Sequence, residues 1–423
     1  MTQSKNSRWA IWAFAAFFYF YEYLLRVSPN VMVPELMESF NVSAASLGIL
    51  IASFLAVYAP MQLPVGILMD RFGARKLLSF ASLGCGLGAL LFALAQTLGT
   101  AYIGRILIGI SASFGFVGMV YVCTHWFEKK KRALLVGVAN SISMLGAFAG
   151  GGPLSVMVEK FGWRSSLLFW SVIGFALALA IFFLIKKDTA EMSDAVHTKE
   201  TPNSLFEGIK IFFKSFYSWL NAIIALLFYT VTTAIGGLWG TPFIQNVYGV
   251  RKEVAGFAVS MIFMGWLVGG PIMGFVSDRL ENRKKVISFG ALATFFVFTP
   301  ILFFTQMSIL WVYILIFLTG FFSSSQLLNF TFATEINPMR VKGASISVTN
   351  FIVSFGGMIV QPLIGYLLVL NQKSLGNASL GHEYTAQNYQ FALSILPICL
   401  LSAWILTFFL KESHRNKDES KIT

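Results

Sequence analysis

The chain has 423 residues, of which 56% are hydrophobic and 12% charged, and it carries a net charge of +12. Soluble domains carry about 25% charged residues, so half the usual charge is missing and a water-soluble enzyme or signalling domain is excluded. Lys and Arg cluster between apolar runs, which points to membrane topology and not to nucleic acid.

In chain order, Met1 to Arg8 is short and mildly basic. The apolar run behind it is too long for a signal peptide and is read as a retained first helix. Twelve apolar runs follow one another at about 9–34, 44–69, 77–97, 101–125, 133–157, 164–185, 217–245, 254–277, 286–306, 309–333, 343–370 and 389–410. Many are near the ~20 residues that cross a bilayer as a helix. They are continuously apolar and do not alternate, which predicts helices and not barrel strands. Residues 186–214 are polar and charged and read as a linker between two six-helix halves, 1–185 and 215–423, the second with a tail. A short amphipathic helix at Leu205–Phe213 and a simple flexible connection both fit this stretch. Cys85, Cys123 and Cys399 lie inside apolar runs and the histidines are scattered. No disulfide framework, metal cluster or cofactor is expected.

The loops orient the chain. Arg71, Arg75, Lys76, Lys129–Arg132, Arg279, Arg283–Lys285, Arg340 and Lys342 fall on one face, with Lys160, Arg164, Arg251, Lys252 and Lys373 on the other. By the positive-inside rule both termini are cytoplasmic.

The halves also repeat. At an offset of 208 residues Gly66, Asp70, Arg71, Arg75, Lys76 and Arg132 fall on Gly274, Asp278, Arg279, Arg283, Lys284 and Arg340. At an offset of 210, Val138, Asn140 and Gly146 fall on Val348, Asn350 and Gly356. Parallel repeats of this kind build many transporters.

Charged groups inside a span cost about 2.5–3.5 kcal/mol each and ask for a function. Glu22 and Arg26 lie four residues apart in span 1, on one helical face with Tyr19 and Tyr23. Either the pair neutralises itself and braces the helix, or Arg26 binds an anionic solute while Glu22 carries a coupling proton. Arg105 in span 4 is the other intramembrane cation. Further cavity candidates are Tyr58, Gln62, Asn140, Gln326, Asn329, Asn350 and Gln361, with Tyr229, Thr230, Thr232, Thr233, Trp239 and Gln245 in span 7. Gly236, Gly237, Gly240 and Pro242 mark span 7 as a helix that bends.

The run Gly66-Ile-Leu-Met-Asp70-Arg71-Phe-Gly73-Ala-Arg75-Lys76 resembles the loop 2–3 signature of the major facilitator superfamily. Gly274 to Lys284 looks like its second copy, with Glu281 where the first has Gly73. Trp126-Phe127 followed by Arg132-Ala133, and Gly162-Trp163-Arg164, are also similar to facilitator sequences. The resemblance implies that Asp70 meets the N-terminus of span 11 near Arg132. By the repeat, Asp278 then faces span 5 near Arg340. With Arg71, Arg75, Arg279 and Arg283 these groups would gate the cytoplasmic side and hold an outward-open state; a plain solvated basic loop is the other reading. Tyr23-Leu-Leu-Arg26-Val-Ser28-Pro29-Asn30 resembles the start of facilitators of organic anions and sugar acids, with Leu25 where those carry Asp. Arg105 in Gly104-Arg105-Ile-Leu-Ile-Gly109 resembles a span 4 motif linked to proton coupling.

These readings converge on an all-α membrane protein with twelve transmembrane helices in two pseudo-symmetric six-helix bundles. The expected activity is proton-coupled symport of a small organic solute, anionic in character, by alternating access. The expected setting is a lipid bilayer, the inner membrane of a bacterium, with the chain working as a monomer. Export of hydrophobic or cationic compounds, peptide or siderophore transport, and a membrane-embedded enzyme or receptor stay open at this point.

Overall fold

A computed structural model of the protein describes residues 5–184, 209–338, 341–375 and 384–412. The described residues form helices and short connections, with no strand. In hydrocarbon each backbone N–H and C=O must be satisfied within its own segment, and long apolar runs meet that demand as helices.

Eleven helical stretches are long and apolar enough to cross a membrane. One of them, Lys130–Leu184, has 55 residues. At about 1.5 Å per residue that is more than twice a ~30 Å hydrocarbon core. It turns at Gly162, whose φ is 79°, and so passes twice. The described residues therefore make twelve crossings, matching the twelve apolar runs. The run Ala44–Leu94 likewise turns at Gly73, with φ 76°. Its repeat partner Glu281 is also left-handed, with φ 48°. Both halves thus turn at this position through a positive φ but with different ψ, 160° at Gly73 and 31° at Glu281.

Ends are tied by side chains. Ser43, Thr97, Ser215 and Asn282 accept bonds from the first-turn amides of Ser46, Thr100, Ser218 and Lys285, which removes orphan donors. Arg164, just past the Gly162 turn, donates to the carbonyls of Ala93 and Ala95 at the end of span 3, both at 2.7 Å. A cation there also suits the negative end of the helix dipole.

Spans 1, 4, 7 and 10 are each interrupted. Span 1 ends in a 3-10 turn at Ser28–Val31. Span 4 breaks at Ser113 between Leu98–Ala112 and Phe114–Trp126. Span 7 contains a π-helical segment, Thr232–Trp239, and span 10 a 3-10 segment, Ser324–Leu327. The bend expected in span 7 is therefore present, seated at Gly236 and Gly237 and upstream of Pro242.

The first six spans meet the last six most extensively along two pairs, span 2 on span 11 and span 5 on span 8, with a smaller contact between the end of span 1 and span 7. Small residues set these seams. A Cβ at Gly48 would stand 2.7 Å from the Gln361 carbonyl oxygen, so only glycine lets these backbones touch. The Ser260 hydroxyl accepts from the Gly152 amide at 2.6 Å and donates to the Phe148 carbonyl at 3.1 Å. Lys252 pairs with Glu35 and lies 3.7 Å from Glu159. Tyr384 accepts from the Ala44 amide at 3.3 Å. These ties cluster at the end of the bundle away from the basic loops. Most of the linker, 185–208, lies outside the described residues, as does most of the Leu205–Phe213 stretch. Residues 209–214 are helical, with Phe212 buried against Ala222, Val348 and Ile352.

Candidate functional site

A cavity lies between the halves, near the middle of the spans. Tyr23, Arg26, Tyr58, Asn140 and Met144 line it from the first half, and Tyr229, Thr232, Phe263, Trp266, Gln326, Phe330 and Asn350 from the second. A second space continues past Arg26, toward the joined end, lined by Phe54, Arg105, Thr233 and Gln361 among others. Arg26 borders both spaces. Asn140 and Asn350, partners in the repeat, both face the cavity, so the pseudo-symmetry of the sequence is centred on it.

Arg26 is held by rings. Its guanidinium carbon is 4.9 Å from the Tyr58 centroid, 5.3 Å from Tyr23 and 5.7 Å from Phe54. Arg105 stacks on the same Phe54 ring at 5.0 Å, and its Nη1 donates to the Leu25 carbonyl at 3.2 Å. Its Nε has no partner. Among the described residues no carboxylate is within ion-pair distance of either guanidinium. Cation–π contact stabilises such a charge without using up its N–H fork, which stays free for a planar anion.

The single polar stripe expected on span 1 is divided. Successive helical positions are about 100° apart. Tyr23 and Arg26 reach the cavity, while Glu22 turns into the first half, fully buried, against Gly115 of span 4. A Cβ at Gly115 would lie 3.1 Å from the Glu22 Cγ and Oε1, so the glycine makes room for the carboxyl. Neither Glu22 oxygen has a hydrogen-bond partner, and the self-neutralising ion pair with Arg26 is not formed. Tyr19 also lies behind the wall, edge-on to Tyr23 at 5.2 Å, and its hydroxyl donates to Asn140 Oδ1 at 3.5 Å.

Of the residues expected at the cavity, Tyr23, Arg26, Tyr58, Asn140, Tyr229, Thr232, Gln326 and Asn350 line it. Gln62 is one helical turn beyond Tyr58 and outside the lining. Trp239 is also outside: it is fully buried and donates its indole N–H to the Gln361 carbonyl at 3.1 Å, tying span 7 to span 11. Trp266, Phe263, Phe330 and Met144 were missing from the expected set. Trp266 stands edge-on to Tyr229 at 5.6 Å and donates to Thr232 Oγ1 at 3.1 Å. In a chain that is 16% aromatic, nothing in the sequence separates such rings from lipid-facing ones. Gln326 Nε2, Thr233 Oγ1 and Gln361 Oε1 are buried without a partner, which leaves neutral polar groups available to a solute.

At the basic loops, Arg75 donates from Nε to the Phe182 carbonyl at 2.7 Å and Arg132 to the Phe127 carbonyl at 2.9 Å. Both bonds stay within the first half. Arg283 pairs with Asp278 at 2.5 Å and Glu335 at 3.3 Å within the second. Asp278 is thus bound inside its own half in this conformation, not against span 5. Arg71 and Arg279 are exposed. The Asp70 side chain and Arg340 lie outside the described residues.

A family model for the Major Facilitator Superfamily matches residues 13–362 and, again, 222–422. The chain is 25% identical to an uncharacterized transporter, YybO, of Bacillus subtilis, over 86% of this chain and 88% of that one. It is 26% identical to a hexuronate transporter of Escherichia coli, over 69% and 72%. It is 23% identical to a probable sulfoacetate transporter, SauU, of Cupriavidus necator, over 70% and 71%. A crystal structure of a bacterial homolog of the human lysosomal transporter Spinster, inward-facing and occupied, superposes with a TM-score of 0.79 at 15% identity, covering 96% of this chain and 97% of that one.

Proposed function

The chain belongs to the Major Facilitator Superfamily, as a multi-pass membrane transporter of small organic solutes and not an enzyme, and on that premise we propose that it moves an organic anion by proton-coupled symport. The observation that carries this reading is Arg26: a guanidinium on the wall of the central cavity, held by aromatic rings, with no acid bonded to it. A buried cation without a counter-ion is costly, and an anionic solute supplies the missing partner. Relatives named for hexuronate and sulfoacetate support an acidic substrate. The alternative of cation export is disfavoured by the same charge.

In this reading the anion docks on Arg26, and Tyr23, Tyr58, Tyr229 and Trp266 pack against its body. Asn140, Asn350 and Gln326 meet its neutral polar groups. Glu22 carries the coupling proton from behind the wall, one helical turn from Arg26, and Arg105 biases it from span 4. The halves 1–185 and 215–423 rock about the cavity. The present conformation, joined at the end opposite the basic loops, faces the cytoplasm. Asp70, Arg71, Arg75 and Arg132, with Asp278, Arg279, Arg283 and Arg340, close that side in the opposite state. The setting is a bacterial inner membrane with both termini cytoplasmic, and the chain acts as a monomer.

The test is thermal stabilisation of purified protein by a metabolite panel, for wild type and Arg26→Gln side by side. A ligand of the folded state raises its stability by mass action. Carboxylates or sulfonates should stabilise wild type and not the variant. Equal stabilisation of both by neutral or cationic compounds alone would end the anion reading.

A further inference from the structure

Asn30, at the end of span 1, is buried to 1% exposure and reaches into the other half of the molecule. Its Nδ2 donates to the carbonyls of Ile235 and Gly236, each at 2.9 Å, and its Oδ1 accepts from the Thr241 amide at 2.8 Å. All three partners belong to span 7, in or just after the π-helical segment. In that segment the Gly240 amide bonds the Ile235 carbonyl, five residues back. An α-helix would send it to Gly236, four back. The Gly236 carbonyl is therefore free of its α partner, and the Asn30 carboxamide stands between it and the Thr241 amide. A side chain of the first half has been inserted into the hydrogen-bond ladder of the second.

We propose that Asn30 is a positioning residue of the transport cycle: it holds span 7 in its π form while the halves are joined at this end, and its withdrawal lets the segment tighten to α and turn the cavity wall. The inference rests on the alternating-access reading above. The argument is one of hydrogen-bond satisfaction. When the halves part here, Asn30 leaves with the first. A C=O and an N–H would then stand unpaired at membrane depth, which hydrocarbon does not tolerate. Two ladders can repair both: the Gly236 carbonyl and the Thr241 amide, five residues apart, can bond each other and extend the π form, or the segment can return to α, with the Gly240 amide moving to Gly236 and the Thr241 amide to Gly237; the proposal is the second, and Gly240→Ala separates the two. One residue is taken out of the wide turn, so the two ends of span 7 rotate against each other by about 100°. Tyr229, Thr232 and Thr233 lie on one side of that joint and Trp239 and Thr241 on the other. A solute held at Thr232 and Thr233 thereby senses whether the far end is joined. Gly240 fits the same scheme, because a Cβ there would strike the Ile235 carbonyl oxygen in the π form, besides approaching the Val259 side chain of span 8 to 2.9 Å.

The experiment places spin labels at Glu38→Cys and Arg251→Cys, exposed positions on either side of the joint. It uses the full chain with Cys85, Cys123 and Cys399 replaced by alanine, in lipid nanodiscs. Pulsed EPR reads the ratio of long to short distances. Wild type should show both populations. Asn30→Ala should raise the long fraction about tenfold, as loss of one net buried hydrogen bond predicts. Gly240→Ala keeps the Asn30 side chain and should move the ratio the same way by excluding the π turn. If Asn30→Ala lowers thermal stability but neither variant changes the ratio, Asn30 is only structural and the inference is overturned. If Asn30→Ala shifts the ratio and Gly240→Ala does not, the π-to-α step is wrong. A single fixed distance in wild type at every pH would instead overturn alternating access itself, and this inference with it.

Discussion

The first half brings charge to the cavity, whereas the second brings rings and neutral polar groups. Arg26 and Arg105 are the charged residues of the lining, and Glu22 stands just behind it. Across the gap stand Tyr229, Trp266, Phe263, Gln326 and Gln361. Both halves descend from one pattern, as Asn140 and Asn350 facing the same space make plain. The difference teaches that the repeat fixes geometry and leaves chemistry free to diverge. In the proposed cycle a solute gripped by charge would stay with the first half, while the second half slid over it.

That contrast can be broken most strongly at Arg26. Arg26→Gln should weaken anion binding by about 30- to 5,000-fold, the range for losing a buried charged partner of about 2–5 kcal/mol. Isothermal titration with the best-stabilising anion reads it. Glu22→Gln tests the other charge. One proton moving down a one-unit pH gradient contributes about 1.4 kcal/mol, or tenfold accumulation. The variant should lose that accumulation in proteoliposomes yet still exchange solute across the membrane; retained pH-driven accumulation would remove Glu22 from the coupling path. On the uncharged side, Gln326→Ala should raise the half-saturating concentration only about fivefold, a neutral hydrogen bond of about 1 kcal/mol. An effect as large as that of Arg26→Gln would show that charge is not what separates the halves.

The smallest effect concerns the two turns. Glu281→Gly should raise thermal stability by roughly 0.5–1 kcal/mol by relieving a left-handed non-glycine residue. Gly73→Ala should lower it by more, because a φ of 76° with a ψ of 160° is open essentially to glycine alone. Melting curves of the two variants make this comparison, and shifts of the same sign would break it.

The twelve crossings were legible because an apolar run of bilayer length has few other uses, and the turn signatures recur at a fixed offset. Arg26, Tyr23, Tyr58, Asn140, Tyr229, Gln326 and Asn350 were legible for a related reason: a polar group within such a run needs a destination. Glu22 and Trp239 show where that rule fails. Both are polar and inside spans, but helix rotation sends Glu22 into its own half, and Trp239 spends its indole N–H on a backbone carbonyl. Trp266 and Phe263 were hidden because a ring looks the same to the sequence whether lipid or solute covers it. The π segment was only half visible. Glycines announced a bend, but the partner that stabilises it, Asn30, is about 205 residues away and contributes no local pattern.

The Lys252 cluster joins the halves by one sheltered contact, to Glu35, and one at the surface, to Glu159. Glu159 keeps 52% of its side chain exposed, so ions in the adjoining solution compete for this contact over a Debye length of ~8 Å at 0.15 M. Under the proposed alternating access, the resting preference between the two facing states would then be partly set by the water outside the bilayer. The Glu38–Arg251 distance distribution, recorded across a salt series, should move toward the long population as ionic strength rises. The same carrier would dwell closed in fresh water and open more readily in brine, with no change in its solute or its membrane.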